Sequence, residues 1–280
     1  MYGYDKNQID NTYGLLETVH SKSMNRELPV LIFLPDSYKE SKNAFPVVYL
    51  LHGSGGQELN APLLEKDLRK ANNSGVRIQE VANFYSVIIV TPLVGNSYYL
   101  DAPKKPKIRF ATYVGEELPA FIDLKYNTIS GREGRFLAGF SMGGYGAVSL
   151  LCRFPDNFSV ALSRSGVMNL ATGIEDLDWD EPVGNLNIML GDYWTSKKNW
   201  HQNSCFNLIN HIRDRDDIAI VIEVGVDDFL YKTNKQFKER LDELGVPNIY
   251  SEYQGGHFWN ANTLNSLLAQ LQFFQKTINE

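Results

Sequence analysis

Cysteine is nearly absent: Cys152 and Cys205 are the only two in 280 residues. With no CxxC or other metal-ligand spacing, they exclude a disulfide-framed small fold and a structural zinc site. Both lie in or beside segments that read as helix, where a free thiol behaves as a small buried hydrophobe; a disulfide between them stays open. Long apolar runs are also missing, and nothing nears the roughly 18 residues of a membrane-crossing helix, so no membrane partner is expected. There is no excess of positive charge. Lys and Arg total 27 against 33 Asp and Glu, a formal net charge of -6 with both signs interspersed. That argues against a nucleic-acid partner, which needs a basic face. The polar opening MYGYDKNQIDNTYG has no basic-then-apolar leader pattern, and the expectation drawn from it is a cytoplasmic protein. HExxH and Cys/His clusters are lacking, so no metal and no organic cofactor is expected. Repeats, low-complexity tracts and long linkers are lacking as well, which predicts one domain over residues 1–280 and leaves a homo-oligomer open.

What is present has the rhythm of an α/β fold. Alternation in GLLETVHS (14–21) and LPVLIFLP (28–35) predicts two antiparallel strands at a sheet edge. FPVVYLLHG (45–53), YSVIIVTP (85–92), GRFLAGFS (134–141), FSVALSRSG (158–166) and DIAIVIEVG (217–225) are short, continuous apolar runs, as in a parallel sheet covered on both faces. Helical patterns alternate with them: YVGEELPAFIDLKY (113–126), with Pro119 predicted to kink or break it; MGGYGAVSLLCRF (142–154); and NKQFKERLDELG (234–245), stopped by Gly245 and Pro247. A last helix carries Leu264, Leu267, Leu268, Leu271, Phe274 and Ile278 on one face. Residues 168–206 break the rhythm. They hold Trp179, Tyr193, Trp194 and Trp200 among Gly, Asp and Asn, and read as a cap-like insertion and the seat of substrate selectivity.

The chemistry concentrates at GFSMG, residues 139–143. A serine hydroxyl is a poor nucleophile unless exposed, aimed and paired with a base, and a GxSxG turn between strand and helix does the aiming. The five-residue pattern is weak alone in a chain with 22 glycines, but here RFLAGF ahead reads as strand and MGGYGAVSLL behind as a small-residue helix. That context makes Ser141 the nucleophile candidate of an α/β-hydrolase fold. This fold orders its triad Ser, then Asp or Glu, then His. Of five histidines, His20 and His52 precede the serine, while His201 and His211 leave no strand end for an acid before them. His257, in the Gly-rich QGGHFWN, remains as the base. Its acid should follow the strand DIAIVIEVG, where Asp227 and Asp228 stand side by side, and spacing does not choose between them. For the oxyanion, the backbone N–H of Met142 and that of Ser54 in HGSGG (52–56) are the candidate donors. HGSGG lacks the Lys and Ser/Thr of a phosphate-binding loop.

YLLHGSGG, NSYYLDAP, GRFLAGFSMGGYGAVSLLCRFPDNF, GVDDFLY and QGGHFW, in that order, resemble the esterase D-like family of α/β-hydrolases. That group includes tributyrin-type esterases, feruloyl and acetyl-xylan esterases and S-formylglutathione hydrolases. The resemblance runs from about residue 14 to the final helix and implies that Asp228, directly before a hydrophobic pair, is the acid. It also implies that Asn96, Ser97, Tyr98 and Asp101 border the active site, in structural or pocket-shaping roles. GFSMGG in place of GHSMGG is closer to the feruloyl and tributyrin branches. The expectation is a serine carboxylesterase for short-chain acyl esters, on a small-molecule or carbohydrate-linked substrate. Feruloyl or acetyl-xylan ester hydrolysis is the alternative, followed by thioester hydrolysis, acyl transfer and a binding-only hydrolase fold. Tyr98, Trp179, Trp194 and Trp259 are candidate pocket residues; the tryptophans read equally well as packing residues.

Overall fold

The computed structural model describes residues 14–54, 78–171 and 186–259, with Thr263, Ser266, Leu268 and Ala269. Its described strands are β1 (Leu15–Ser21), β2 (Arg26–Phe33), β3 (Val47–Leu51), β4 (Ile88–Pro92), β5 (Arg135–Phe140), β6 (Val160–Arg164), β7 (Ala219–Gly225) and β8 (Asn248–Tyr253). They form one sheet in the order β1-β2-β4-β3-β5-β6-β7-β8. The β1–β2 and β2–β4 pairs are antiparallel and every other pair is parallel. This is the predicted α/β-hydrolase architecture.

Every residue of β3, β4, β6 and β7 is buried, which is why these strands read as largely apolar runs without alternation. The pleat divides them between two cores. Val47, Tyr49 and Leu51 point into one apolar cluster, Val48 and Leu50 into the other. β8 escapes the sequence pattern: NIYSEY is polar and only partly buried, as suits an edge strand with one neighbour.

The described helices are α1 (Ile78–Tyr85), α2 (Leu118–Lys125), α3 (Met142–Arg153), α4 (Leu186–Leu190), α5 (Tyr193–Asn203), α6 (Cys205–Leu208) and α7 (Tyr231–Glu243). Pro119 marks a change of helix type and not an end of the helical run. Phe110–Thr112 leads through a wide π turn, Tyr113–Glu117, straight into α2, with Pro119 near its start. Proline has no N–H for the Gly115 carbonyl four residues back. Asn157 Nδ2 donates to that carbonyl instead, at 2.8 Å, so the buried acceptor is satisfied and the helix continues.

α3 is buried from Met142 through Cys152, as its Gly- and Ala-rich start allows. Cys152 on α3 and Cys205 on α6 are both free thiols and both buried. Desolvation pushes the Cys152 thiol up to about 12, which leaves it unreactive. In the irregular segment, residues 172–185, and so Trp179, lie outside the described residues. After them Tyr193 and Trp200 are core residues, buried in the larger cluster. Of the six positions assigned to the final helix, Leu268 alone is described; it is buried beside Trp259 in the smaller cluster. Among the described residues, no helix is long and apolar enough to cross a membrane.

Candidate active site

The parallel strands end on one edge of the sheet, and the loops leaving β3, β5, β6 and β7 meet there. At the end of β5, Ser141 takes φ 55° and ψ -115°, a conformation that non-glycine residues rarely adopt and that persists only when surroundings impose it. Three hydrogen bonds do so here. Ser141 N–H donates to the Arg164 carbonyl at 3.0 Å, and the Ser141 carbonyl accepts from Tyr145 at 3.0 Å and Val167 at 3.4 Å. The two motif glycines have the steric role expected of them. A Cβ on Gly143 would fall on the Leu51 carbonyl of β3, and one on Gly139 would fall on the Gly143 backbone. Strand and helix could not approach so closely otherwise.

His257 Nε2 lies 3.0 Å from Ser141 Oγ, and His257 Nδ1 lies 3.0 and 3.1 Å from the two Asp228 carboxylate oxygens. A carboxylate only accepts, so Nδ1 carries the ring proton and Nε2 offers its lone pair to the serine hydroxyl. Asp228 is held by a turn after β7: its N–H donates to Gly225 O at 3.1 Å, and Leu230 N–H donates to Asp228 Oδ1 at 2.8 Å. Burial by itself would raise the carboxyl. Hydrogen bonds from His257, Ser165 and the Leu230 N–H outweigh it and keep Asp228 below the ordinary carboxylate value. Asp227 is exposed and touches the histidine loop through its backbone, N–H to Gly255 O at 3.0 Å. Asp228, then, is the member of the pair that faces His257.

The loop after β3 reaches the same place. A Cβ built on Gly53 would lie 3.6 Å from that of Ser141, which puts Ser54 beside the elbow. Met142, the first residue of α3, has no intrahelical acceptor for its N–H, and the helix N-terminus carries partial positive charge. His52 anchors the loop from below. Val94 N–H donates to its Nε2 at 3.3 Å, its Nδ1 donates to Gly53 O at 2.9 Å, and Tyr99 Oη donates to its carbonyl at 3.0 Å. Desolvation brings the His52 imidazole down to about 4, so it is neutral. Tyr98 and Tyr99 are buried in the left-handed region, φ 50° and 51°. Burial raises the Tyr98 phenol, with the Ser54 hydroxyl acting against that rise. Ser97 Oγ accepts from Tyr99 N–H at 3.2 Å, and Asp101 accepts from Thr112 N–H and Oγ1 at 3.1 and 2.6 Å, so both brace this segment.

The candidate tryptophans scatter. Trp259, 9% exposed, sits in the core with its ring 5.9 Å from Phe140. Trp194 is 68% exposed, and its described contacts are with Tyr193 and Lys197 of its own helix. Nothing in the sequence reading singled out the residues that flank the histidine. The His257 ring centre lies 4.6 Å from that of Phe140 and 4.5 Å from that of Phe229; adjacency to Ser141 and Asp228 was the available signal. Arg164 and Glu223 also escaped notice, although one is a charge at the end of an apolar strand and the other a charge inside one.

The site thus joins an aimed serine hydroxyl, an imidazole and an ionised carboxylate in one hydrogen-bonded line at the start of a helix, the arrangement used for acyl transfer. The Esterase family model matches residues 21–273. The chain belongs to the esterase family. Within it, it is a member of the esterase D-like α/β-hydrolases. This esterase is 28% identical over 270 residues to the acetyl esterase of Caldicellulosiruptor saccharolyticus, covering 88% of this chain and 94% of that one. The solved structure of a ferulic acid esterase superposes with a TM-score of 0.70 at 26% identity, over 94% of this chain and 97% of that one. An S-formylglutathione hydrolase from Agrobacterium tumefaciens shares the fold, with a TM-score of 0.70 at 19% identity over 93% and 94% of the two chains.

Proposed function

We propose that this esterase is a serine carboxylesterase acting on short-chain acyl esters, with Ser141 as nucleophile, His257 as general base and acid, and Asp228 orienting the imidazole. The observation that carries the reading is the unbroken hydrogen-bond line from Asp228 through His257 to Ser141, 3.0 Å on either side of the ring. In the first step His257 Nε2 takes the hydroxyl proton as Ser141 Oγ attacks the ester carbonyl carbon. The carbonyl oxygen becomes an oxyanion, for which Ser54 and Met142 supply the N–H donors. Collapse expels the alcohol, which leaves with the proton from His257, and the acyl group stays on Ser141. Water then gives its proton to His257, attacks the acyl-enzyme and releases the acid, and Ser141 recovers its proton. Asp228 stays ionised and stabilises the imidazolium that forms twice in each cycle.

A short acyl group fits the likeness to the acetyl esterase. A second reading, an aromatic acyl group such as feruloyl, rests on a different observation. Phe229 is 49% exposed with its ring against His257, and it offers a flat apolar surface at the reacting centre. Both readings are tested by a panel of p-nitrophenyl esters of increasing acyl length together with methyl ferulate, on the wild type and on Ser141→Ala. Serine-dependent turnover that is fastest on acetate supports the first, and a preference for methyl ferulate supports the second. Turnover that survives in Ser141→Ala would falsify both.

A further inference from the structure

Beneath the His257 loop the sheet buries a pair of opposite charges. Arg164, the last residue of β6, and Glu223 of β7 are register partners, each 5% exposed, and Arg164 Nη1 donates to Glu223 Oε2 at 3.1 Å. Two charges taken out of water are costly, and apolar side chains of the same volume would serve stability at least as well. The pair therefore calls for another explanation, and its remaining contacts provide one.

Arg164 Nε donates to the Phe258 carbonyl at 3.4 Å, and the guanidinium lies 3.7 Å from the Tyr253 ring centre and 5.6 Å from that of Phe258. Tyr253 Oη donates in turn to the Gly256 carbonyl at 3.1 Å. The residues immediately before and after His257 are thus both held from below, one by Arg164 directly and one through the ring on which Arg164 stacks. Ser266 Oγ also donates to Glu223 Oε1 and holds the carboxylate from its other side. The same arginine reaches the nucleophile, because its carbonyl accepts the Ser141 N–H that holds the elbow at 3.0 Å. The next residue, Ser165, donates its N–H to the Glu223 carbonyl at 2.7 Å, and its hydroxyl lies 3.3 Å from Tyr253 Oη.

We propose that Arg164, neutralised by Glu223, is a positioning residue that sets where His257 stands between Asp228 and Ser141. Arginine suits this task because one planar group can stack on an aromatic ring, donate to a carbonyl and pair with a carboxylate at once, which lysine cannot do. The inference rests on His257 being the catalytic base.

The decisive variant is Arg164→Met/Glu223→Met, which removes both charges together and leaves none buried alone. Its thermal melt, its kcat and KM for p-nitrophenyl acetate, and the downfield proton resonance of His257 Nδ1–H are compared with wild type. The expected result is a cooperative melt, a kcat lower by roughly tenfold to a hundredfold, a KM within about threefold, and a lost or shifted resonance. A folded double variant with kcat within about twofold of wild type and an unmoved resonance overturns the proposal. If the double variant does not fold, Arg164→Lys decides. It keeps the charge opposite Glu223 and loses the planar fork, so a drop of about tenfold supports positioning and an unchanged kcat refutes it. Ser141→Ala in the same assay keeps the two ideas apart: residual turnover there overturns the triad reading itself, whatever the Arg164 variants do.

Discussion

Replacing Asp228 by asparagine preserves shape and removes one acceptor. In the native site one carboxylate oxygen takes the Leu230 N–H at 2.8 Å, and both lie within 3.1 Å of His257 Nδ1. The side chain has no exposed surface, so water cannot stand in for either partner. With an amide, the lone oxygen stays with the Leu230 N–H and the NH2 group faces Nδ1. A donor there forces Nδ1 to accept, the ring proton moves to Nε2, and Nε2 can no longer take the Ser141 proton. The expected loss is about 10³ to 10⁴ in kcat, or roughly 4 to 5.5 kcal/mol of transition-state stabilisation, with little change in KM. Asp227→Asn is the matched control. Asp227 is exposed and meets the histidine loop through its backbone, so kcat should stay within about twofold of wild type. The assay is steady-state hydrolysis of p-nitrophenyl acetate, with a thermal melt of each variant to show that the fold is kept. A folded Asp228→Asn that retains more than about a tenth of wild-type kcat refutes the tautomer argument. Greater damage from Asp227→Asn refutes the assignment of the acid.

Two further expectations concern stability. His52 is held neutral with its pKa brought down to about 4, below the ordinary 6.5. Its folded value is depressed, so stability is complete above pH 6.5 and is lost as the pH falls toward 4, by up to about 3 kcal/mol. Urea titrations at pH 7 and pH 4.5 should show that loss in wild type and a smaller one in His52→Gln; equal losses would refute the attribution to His52. Asn157→Leu removes the donor that satisfies the Gly115 carbonyl opposite Pro119, at a cost of about 1–3 kcal/mol. Chemical denaturation checks this, and a change under about 0.5 kcal/mol would mean that another donor takes over.

What was legible in the residues follows the range of the forces involved. The central strands show because burial on both faces leaves continuous apolar runs such as VVYLL, whereas β8, an edge strand with one neighbour, carries the polar NIYSEY and shows no such run. Pro119 signals a kink or a break in any local reading, and the chain passes it through a π turn, with Asn157, 42 positions from Gly115, supplying the donor that proline lacks. The tryptophans illustrate the same limit. Composition marks Trp194, Trp200 and Trp259 as large and apolar, yet one is exposed, one fully buried and one packed behind Phe140.

The sequence by itself determined the elbow at Ser141, because a strand, two glycines and a helix start are consecutive and their sterics are local. Chain order then singled out His257 and narrowed the acid to two neighbours. The GVDDFLY resemblance pointed to Asp228, and the tertiary structure shows that carboxylate facing the imidazole, through a turn after β7 aimed at a loop some thirty residues on. Tertiary structure alone placed Phe140 and Phe229 against the His257 ring. It alone brought Arg164 and Glu223, 59 residues apart, under that loop. These are pairings between strands and loops distant in the chain, made only when the sheet has formed, and no local pattern of residues records them.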